Sequence, residues 1–585
     1  MPTTVEDRSP AHEPVSLSRT SDGETYPLAA DRGRFRFVMN DVFLGWFTTI
    51  SVALVALFLR LWKLGEPKSF LFDETYYAKD AWSLLHYGHA MDYKDQIDAT
   101  ILDGQTTDLW KTSPSMNVHP EVGKWMIALG EKAFGLDPFG WRVASAVTGA
   151  LMVLVLARLV RRLTGSTLWG CVAGLLLTID GLHFVLSRLA LLDIFLAFWL
   201  LCAVSCLVAD RDWFRRRLAA RTNVDATGRT RGWGAIRGVL FRPWLLAGGV
   251  CFGLAVGSKW TALYPLAAFG LLVFAWSVGA RRSFGVRGAW WKSALTDGLA
   301  AFVHLVVVAA IVYTATWTGW LLNAKTYEQS GLSASQYTTY AGEGHCAEDP
   351  NNKDQQIWVV DKTDPGRKWP TATEKDKSGL GEVTQSVRSL WYFHRDVYTF
   401  HTDFLNCATH PYQSMPSGWL LLNRTVGVDA QNDIPASTPG CAATGDGKCK
   451  RIVTLLGNPV IWWGSCLALI AGAALWIGAR DWRWGVALVG TLSTWLPWTL
   501  YNERPIFIFY AVATLPFMVM ALTLALATIV GRDRGPSSRR TTGVVIAGSF
   551  VMLALVAFAF FWPVLTDQLI TDQQWLQRMW FSKWI

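Results

Sequence analysis

Long apolar runs separated by short polar segments dominate the chain from about residue 43 onwards. A membrane-spanning helix needs ~20 largely apolar residues, so these runs predict about eleven transmembrane helices. The expected spans are 43–62, 141–160, 167–186, 189–209, 243–258, 260–279, 295–316, 459–478, 484–500, 506–530 and 542–563. The pattern therefore predicts an all-α polytopic membrane protein, with interfacial helices in the loops outside the membrane.

The polar segments divide the chain into regions. Residues 1–42 are rich in Ser, Thr, Pro and Arg, which predicts a disordered cytosolic tail and not a signal peptide. The expected regions that follow are an N-terminal transmembrane bundle (43–316) that includes a first outer loop (63–140), a large outer loop (317–455), C-terminal transmembrane helices (456–563) and an outer interfacial tail (564–585). Two aromatic segments of the large loop, 390–401 and 410–424, are expected to pack against the first outer loop, with direct substrate contact as the alternative.

The composition excludes an ordinary soluble protein, because 51% of the 585 residues are hydrophobic and only 17% are charged. A net charge of +9 would suit nucleic acid, but the arginines concentrate between apolar runs, where they determine membrane topology. We therefore expect no nucleic-acid partner. The positive-inside rule places the basic loops, such as 158–162, 211–237 and 281–292, in the cytosol with the N-terminus. The two outer loops and the C-terminal tail are then extracytoplasmic, at the plasma membrane.

Four of the nine cysteines, Cys346, Cys407, Cys441 and Cys449, lie in the large outer loop, whereas the other five lie in apolar runs. An oxidising exterior permits disulfides there. Four cysteines allow three pairings, of which we favour Cys346 with Cys407 and Cys441 with Cys449. No CxxC pair or His/Cys cluster has zinc spacing, so we predict neither a metal site nor a cofactor.

Two adjacent acids, Asp73 and Glu74, lie in the aromatic segment FLFDETYYAKDAWSLL just beyond the first span. Neighbouring residues on a helix point about 100° apart, so the two carboxylates are expected to divide the chemistry between them. They are the leading catalytic candidates. The alternative is structural: Asp73 caps the helix, and Glu74 is favoured by the helix dipole in the first turn.

Five cations lie near the outer ends of predicted spans: Arg60, Arg142, Arg188, Lys259 and Arg504. Charged residues are costly there unless they are paired or functional, although each one alone could extend its charged head to the interface. Together with the two acids they predict a site for a lipid phosphate whose tail stays in the bilayer. A sugar transferase using such a donor needs a positive clamp and one general base, and does not need a metal ion.

Several longer motifs carry a resemblance to a known family. They are FDE (72–74), VHPEVGKW (118–125), WRVASAVTGAL (141–151), SRLALLD (187–193), GSKWTALY (257–264), HPYQSMPSGWLLLNR (410–424), LGNPVIWW (456–463) and RPIFIFYAVATLPF (504–517). With these motifs in this order, the chain resembles the protein O-mannosyltransferases. The resemblance extends from about Arg60 to Pro516. The resemblance implies a GT-C glycosyltransferase fold. It also implies transfer of mannose from polyprenyl-phosphate-mannose to Ser or Thr hydroxyls of exported proteins, with inversion at the anomeric carbon.

The resemblance also implies residue roles. Asp73 matches the expected base, and Glu74 the acid expected to help hold the acceptor. The substrate-binding candidates are the residues that match the family's basic and motif positions: Arg60, Arg142, His119, Arg188, Lys259 and Arg504. For Arg60 and Arg142, which lie beside the acids in sequence or in family position, the alternative is that they orient Asp73. Eukaryotic members carry HPP where this chain has His119-Pro120-Glu121, and they insert a MIR domain where this chain has only the 317–455 loop. The chain therefore resembles a bacterial, actinobacterial-type member, in which acceptor selection by MIR contacts is not expected.

The implied partners are the lipid donor, Ser/Thr-containing secreted proteins and membrane lipids, with the secretion translocon as a further candidate. One alternative is a GT-C transferase that moves another lipid-linked sugar onto a glycolipid, which would not be expected to carry the HPY and GNPVIWW segments. Another is a secondary transporter, which predicts internal repeats and mid-membrane acids. The sequence has no such repeat, and Asp180 and Asp193 are the residues that would favour a transporter.

Overall fold

The computed structural model of the chain describes residues 41–230, 232–333, 344–350, 352–361, 368–531 and 537–585. The predicted cytosolic tail, apart from residues 41 and 42, lies outside the described residues. Within these ranges the chain is mainly helical, as the apolar runs predict.

The α-helices of the described residues are, in order, α1 (Asp41–Leu61), α2 (Glu74–Tyr87), α3 (Ile97–Leu102), α4 (Val122–Phe134), α5 (Pro138–Thr164), α6 (Thr167–Thr178), α7 (Gly181–Leu186), α8 (Leu192–Ala219), α9 (Pro243–Val256), α10 (Leu263–Ser283), α11 (Ala289–Ser293), α12 (Leu299–Phe302), α13 (Val308–Thr316), α14 (Thr318–Leu322), α15 (Ala324–Gln329), α16 (Pro370–Thr373), α17 (Leu380–Thr402), α18 (Pro459–Gly478), α19 (Trp482–Trp495), α20 (Leu515–Val530), α21 (Ser538–Leu565) and α22 (Asp572–Leu576).

Short antiparallel strands add three small sheets outside the helical bundle. The strands are β1 (Met91–Tyr93), β2 (Trp110–Pro114), β3 (Gly344–Asp349), β4 (Asn352–Val360), β5 (Val426–Pro435), β6 (Lys448–Leu455) and β7 (Ile570–Thr571). They pair as β1-β2, β3-β4 and β5-β6-β7. The last sheet joins the large outer loop to the C-terminal tail, so these two regions lie together.

Seven helical stretches are long and apolar enough to cross a membrane: Val42–Leu61, Pro138–Thr164, Leu192–Ala219, Trp260–Ser283, Ala289–Thr316, Pro459–Gly478 and Ser538–Leu565. The other four predicted spans are also helical, but α6, α9, α19 and α20 are shorter. The structure therefore confirms a multi-pass membrane protein, and the predicted number of about eleven crossings stays a prediction.

The helix ends that carry the predicted cytosolic arginines contact one another. Arg158 on α5 lies 3.8 Å from the centre of the Trp46 ring on α1. Arg211 on α8 lies 3.5 Å from a ring of Trp482, the first residue of α19. These contacts bring together the basic helix ends of segments that are far apart in the sequence. The positive-inside rule requires such an arrangement, because all these ends should lie on one cytosolic face.

The outer loops pack against each other at the other ends of these helices. Both predicted disulfides, Cys346–Cys407 and Cys441–Cys449, are formed. The end of α17 packs on the first outer loop, because the His401 ring nitrogen Nε2 lies 3.0 Å from the Val118 carbonyl oxygen. The aromatic segment 390–401 therefore docks as predicted.

The C-terminal tail, which was expected to rest on the membrane interface, is also packed against protein. Trp584 is buried, and its indole N–H donates a 2.6 Å hydrogen bond to the Leu422 carbonyl. Strand β7 hydrogen-bonds to β6. The tail is thus packed on the large outer loop, whereas Trp580 and Phe581 remain partly exposed, so the expected contact with the membrane interface stays a prediction.

Close helix packing brings the first outer loop to its place above the bundle. A Cβ atom added to Gly149 on α5 would lie 2.3 Å from the Ser187 Cβ and 3.1 Å from the Arg60 Nε. Only glycine permits this approach. As a result α1, α5 and the turn after α7 meet at one point, directly beneath the segment that carries Asp73 and Glu74.

Candidate active site

Asp73 precedes the first turn of α2, yet its carboxylate makes no capping hydrogen bond. Among the described side chains, its hydrogen-bond partner is the Tyr77 hydroxyl, which donates at 3.4 Å. The capping alternative for Asp73 is therefore wrong. An acid whose oxygens are nearly unused at the start of a helix is available to bind or deprotonate a ligand.

The backbone next to Asp73 is strained. Phe72 has φ of +51°, a left-handed conformation that is unfavourable for a bulky aromatic residue. Its ring is held by edge contacts with Phe507 and Phe509, both at 5.6 Å between ring centres, and with His410 at 5.9 Å. Strain held by surrounding packing is characteristic of functional sites. Here it fixes the direction in which Asp73 points.

Burial raises the pKa of Asp73 to about 6, and the attraction of the Lys259 ammonium only partly offsets this. The nearby Asp193 carboxylate raises the pKa further, and the Tyr77 hydrogen bond lowers it. A carboxylate with a pKa near 6 is ionised at neutral pH and is still basic enough to accept a proton from a reacting hydroxyl. Asp73 therefore has the properties of a general base.

Lys259 is buried next to Asp73. Its ammonium donates a 2.8 Å hydrogen bond to the Asp193 carboxylate and lies 4.9 Å from the centre of the Tyr510 ring. An ammonium has three donors, so this single ion pair leaves capacity for an anionic ligand. Lys259 therefore fits the expected role of a phosphate contact, and Asp193 positions it.

Arg504 is only partly committed to protein contacts. One of its terminal nitrogens lies 3.0 Å from the His401 Nδ1 and donates to the His401 carbonyl at 3.3 Å, whereas its buried Nε has no partner among the described residues. Arg504 also lines a cavity of about 560 Å³. Of the five expected cations, Arg504 thus has a buried Nε without a partner among the described residues, and it lines this cavity.

Two histidines connect Arg504 to the surroundings of Asp73. The rings of His119 and His401 stack with centres 5.2 Å apart, and the His119 ring lies 6.1 Å from the Tyr77 ring. Burial, together with the positive charge of Arg504, lowers the pKa of His401 to about 4. Burial and Lys259 likewise lower the pKa of His119. Both imidazoles are therefore neutral, which allows several cations to surround them.

Glu74 and Arg142 form a fully buried ion pair. The Glu74 oxygens accept two hydrogen bonds from Arg142, at 2.9 and 2.7 Å, and two from the backbone N–H groups of Leu71 and Ala190, at 2.9 and 3.0 Å. The other guanidinium N–H groups donate to three backbone carbonyls, those of Leu64, Pro67 and Ser69. All donors of Arg142 are used, so neither residue is free to contact acceptor or donor. These contacts favour the alternative expected for Arg142, which is to orient Asp73, and they favour the same positioning role for Glu74 over the expected contact with the acceptor.

Arg60 and Arg188 are also engaged within the protein. Arg60 donates to the Ser187 hydroxyl at 2.7 Å and lies 2.8 Å from the His183 Nδ1. Arg188 donates to carbonyls at the end of α1, those of Leu59, Arg60, Trp62 and Lys63. An arginine placed on the last carbonyls of a helix stabilises that end. The structure thus favours the alternative expected for Arg60, which is positioning, and it favours positioning over the expected phosphate contact for Arg188.

Asp180 and Asp193, the acids that would favour a transporter, have defined partners. Asp180 accepts hydrogen bonds from the Asn458 backbone N–H at 3.0 Å and from the Trp462 indole at 2.8 Å, and Asp193 pairs with Lys259. Asp193, Tyr77, His401 and Tyr510 are site residues that the sequence reasoning missed. Asp193 ends the SRLALLD motif and His401 ends the aromatic segment 390–401, so both positions carried a signal. Among the described residues, no group of three or more His, Cys, Asp or Glu side chains could hold a metal ion.

Two family models match most of the chain. The model described as dolichyl-phosphate-mannose-protein mannosyltransferase matches residues 50–327. The model described as the C-terminal four TMM region of protein-O-mannosyltransferase matches residues 386–584. The two matches cover the first outer loop, the transmembrane helices on both sides of the large loop, and the C-terminal tail.

Curated relatives extend over nearly the full length. The chain is 31% identical over 579 residues to the polyprenol-phosphate-mannose–protein mannosyltransferase of Mycobacterium tuberculosis, covering 98% of this chain and 97% of the relative. It is 32% identical over 550 residues to the protein of the same name from Mycolicibacterium smegmatis, covering 92% and 93%. Its fold is similar to that of the S. cerevisiae protein O-mannosyltransferase Pmt1-Pmt2 complex bound to the sugar donor, with a TM-score of 0.62, 14% identity and 93% of each chain covered.

Proposed function

The chain belongs to the protein O-mannosyltransferase family, and we propose that it transfers mannose from polyprenyl-phosphate-mannose to Ser and Thr hydroxyls of secreted proteins. The observation that carries the proposal is the nearly unbonded carboxylate of Asp73 beside the buried cation Lys259. A base next to a phosphate-binding cation is the pair of groups that this reaction requires.

In the proposed reaction, the acceptor hydroxyl lies within hydrogen-bonding distance of Asp73. Its oxygen attacks the anomeric carbon of mannose while its proton passes to the Asp73 carboxylate. The bond from the anomeric carbon to the phosphate oxygen breaks, and the lipid phosphate leaves with the electron pair. Attack from the face opposite the leaving phosphate inverts the anomeric configuration.

Lys259 and Arg504 are proposed to hold the phosphate. The donor phosphate is a diester that becomes a monoester and gains negative charge as the sugar leaves, and fixed cations stabilise that charge in a site of low polarity. Lys259 has spare donors and Arg504 has a buried donor without a partner. His119 lies between these cations as a neutral ring and supports their placement.

The remaining candidates are proposed to shape the site without touching substrate. Glu74 and Arg142 fix the loop that carries Asp73. Arg60 and Arg188 tie the end of α1 to the turn after α7. Because the loop geometry depends on these buried contacts, their loss is expected to affect folding at least as much as turnover.

We further propose that the site faces the outside of the plasma membrane, with the N-terminus in the cytosol and the C-terminus outside. The arginine-rich helix ends that contact one another belong to the predicted cytosolic loops, and the disulfides belong to the opposite side. A site at the outer face would meet proteins as they emerge from the translocon, which is the proposed neighbour, and would receive the donor from the surrounding lipid.

The proposal is tested with membranes from cells that overproduce the chain, incubated with polyprenyl-phosphate-mannose and a Ser/Thr-rich peptide. We expect mannosyl peptide, and no product from a matched peptide in which every Ser and Thr is replaced by Ala. The same membranes are supplied with polyprenyl-phosphate-aminoarabinose as a competing donor. Transfer of aminoarabinose but not mannose would refute the proposed donor.

A further inference from the structure

The proposed reaction requires room for one sugar between Lys259 and Asp73. Inversion places the attacking hydroxyl, the anomeric carbon and the leaving phosphate oxygen roughly in line, so the sugar lies between the base and the cation that holds the phosphate. Two tyrosines border this space. The Tyr77 hydroxyl donates to Asp73 at 3.4 Å, and the centre of the Tyr510 ring lies 4.9 Å from the Lys259 Nζ. These tyrosines are therefore candidates for contacts with the sugar.

The Tyr510 ring is held in place by aromatic neighbours. It stacks on Trp498 with ring centres 4.5 Å apart and 20° between the ring planes. Phe507 and Phe509 lie nearly perpendicular to it, with ring centres at 6.0 and 4.8 Å. Packing on several sides leaves the ring little freedom to turn, so the protein determines the direction of its hydroxyl.

The same two phenylalanines also hold the segment that carries the base. Phe507 and Phe509 each contact the Phe72 ring with centres 5.6 Å apart, and Phe72 directly precedes Asp73. Tyr510 and Asp73 are thus fixed relative to each other by shared neighbours. A fixed distance between a binding group and the base is what positioning of a substrate requires.

The Tyr510 hydroxyl has no hydrogen-bond partner among the described residues, and its oxygen keeps accessible surface because Tyr510 is only partly buried. The Tyr77 hydroxyl differs, since it already donates to Asp73. A phenolic hydroxyl that is enclosed by protein normally finds a partner. The Tyr510 hydroxyl is therefore available to a ligand that enters the site.

The electrostatic surroundings of this hydroxyl suit a neutral polar ligand. Two cations, Lys259 and Arg504, and two acids, Asp73 and Asp193, interact with it electrostatically. The two positive and two negative charges largely cancel there, so this position selects for an anion less strongly than the cations themselves do. A sugar hydroxyl can both donate and accept a hydrogen bond, as a phenolic hydroxyl can. The sugar thus fits this position better than the phosphate does.

We propose that the Tyr510 hydroxyl forms a hydrogen bond with a hydroxyl of the mannose on the lipid donor, and that this contact helps the enzyme to select its sugar. The inference rests on the proposed function, since it assigns a further residue to the same donor. A site that forms a hydrogen bond with a substrate hydroxyl disfavours an analogue that lacks this hydroxyl, because the protein group is then left without a partner.

The test compares the binding of two ligands, farnesyl-phosphate-mannose and farnesyl phosphate, to the purified full chain in phosphatidylcholine nanodiscs. Tyr510→Phe keeps the ring and its packing but removes the hydroxyl. We expect it to raise the Kd for farnesyl-phosphate-mannose about three- to tenfold, as for the loss of one hydrogen bond, and to leave the Kd for farnesyl phosphate unchanged. The unfolding temperature should also stay the same, because the hydroxyl has no protein partner among the described residues.

Tyr87→Phe is the matched control. Tyr87 is an exposed tyrosine at the last residue of α2, away from the end that follows Asp73. The substitution removes the same hydroxyl group, and we expect both Kd values to stay at those of the parent chain.

Two results would overturn the proposal. The first is an unchanged Kd for farnesyl-phosphate-mannose in Tyr510→Phe. The second is an equal rise of the Kd for both ligands, which would assign the hydroxyl to the phosphate or, if the unfolding temperature also falls, to the support of the fold.

The binding assay does not depend on sugar transfer, so the two proposals fail separately. If the parent chain makes mannosyl peptide but Tyr510→Phe binds both ligands normally, only the present inference is wrong. If Tyr510→Phe loses affinity for farnesyl-phosphate-mannose alone but the parent makes no mannosyl peptide, the sugar contact stands and the proposed acceptor is wrong.

Discussion

Glu74→Gln distinguishes a positioning role for Glu74 from the acceptor-binding role implied by the family resemblance. The substitution keeps the shape of the side chain but removes its charge and replaces one acceptor oxygen by an N–H₂ group. That group would face either the guanidinium of Arg142 or the backbone N–H groups of Leu71 and Ala190, all of which are donors. Arg142 would then be a buried charge without a counter-ion.

The expected magnitude follows from this geometry. Removing one partner of a buried ion pair costs about 3–5 kcal/mol of folding free energy, because the other charge is left unpaired. Folded domains have stabilities of about 5–15 kcal/mol, so the loss is a large share of the total. We expect Glu74→Gln to unfold at a clearly lower temperature, with activity per folded molecule reduced because the Asp73 loop loses its support.

The assay is fluorescence-detected thermal unfolding in detergent, followed by peptide kinetics on the folded fraction. The double variant Glu74→Gln/Arg142→Gln should lose less folding free energy than the two single variants lose together, because it removes both charges of the pair. Asp95→Asn is the control, since it breaks an exposed ion pair with Lys111 at 2.7 Å and should leave the unfolding temperature unchanged.

One result would refute the positioning role. If Glu74→Gln unfolds at the parent temperature while the KM for the peptide rises and that for the donor stays constant, then Glu74 contacts the acceptor. The buried network around Arg142 would in that case rearrange when substrate binds.

Three further predictions concern the base, the clamp and the topology. Since the pKa of Asp73 is raised to about 6, the base is ionised above that pH, and kcat/KM should fall about tenfold per pH unit below it; a profile that stays flat down to pH 5 would contradict this. Arg504→Ala and Lys259→Ala should each raise the KM for the lipid donor, at about 1.5–3 kcal/mol per contact, with little change in the KM for the peptide; the reverse pattern would remove these residues from the donor site. A cysteine at position 95 should react with an impermeant thiol reagent in intact cells and one at position 229 should not; labelling at 229 would invert the proposed orientation.

The membrane architecture could be predicted from the sequence because hydrophobicity acts over whole segments. A run of about 20 apolar residues has few folded alternatives to a helix, so each predicted span is helical in the structure. The disulfides were predictable for a related reason, since only four cysteines lie in the outer loop. Asp73 could be identified as a candidate base from its position between aromatic residues just after a span, and its role stays a prediction.

The roles of the arginines could be predicted only in part, because their place beside the acids indicated an orienting role for Arg60 and Arg142 but not for Arg188. Near the end of a span, an arginine that binds backbone carbonyls and one that binds a ligand leave the same pattern in the sequence. Arg142 and Arg504 differ only in their three-dimensional surroundings, because one has all its donors used and the other has a buried Nε without a partner.

The small sheets were also missed, for a different physical reason. Strands β1 and β7 contain three and two residues, too few for an alternating pattern to be visible. Strand β5 is longer, but its outer half is exposed and polar, so it resembles a loop. These strands are specified by tertiary pairing more than by local sequence, and they determine where the C-terminal tail packs.

The central claim is that Asp73 is the base for mannosyl transfer, and Asp73→Asn tests it most directly. The amide has nearly the shape of the acid, and the carboxylate forms one long hydrogen bond among the described side chains, so the fold and donor binding should be retained. Peptide mannosylation from polyprenyl-phosphate-mannose should fall by about two to four orders of magnitude. An Asp73→Asn enzyme that binds donor normally and mannosylates the peptide at close to the parent rate would contradict the claim.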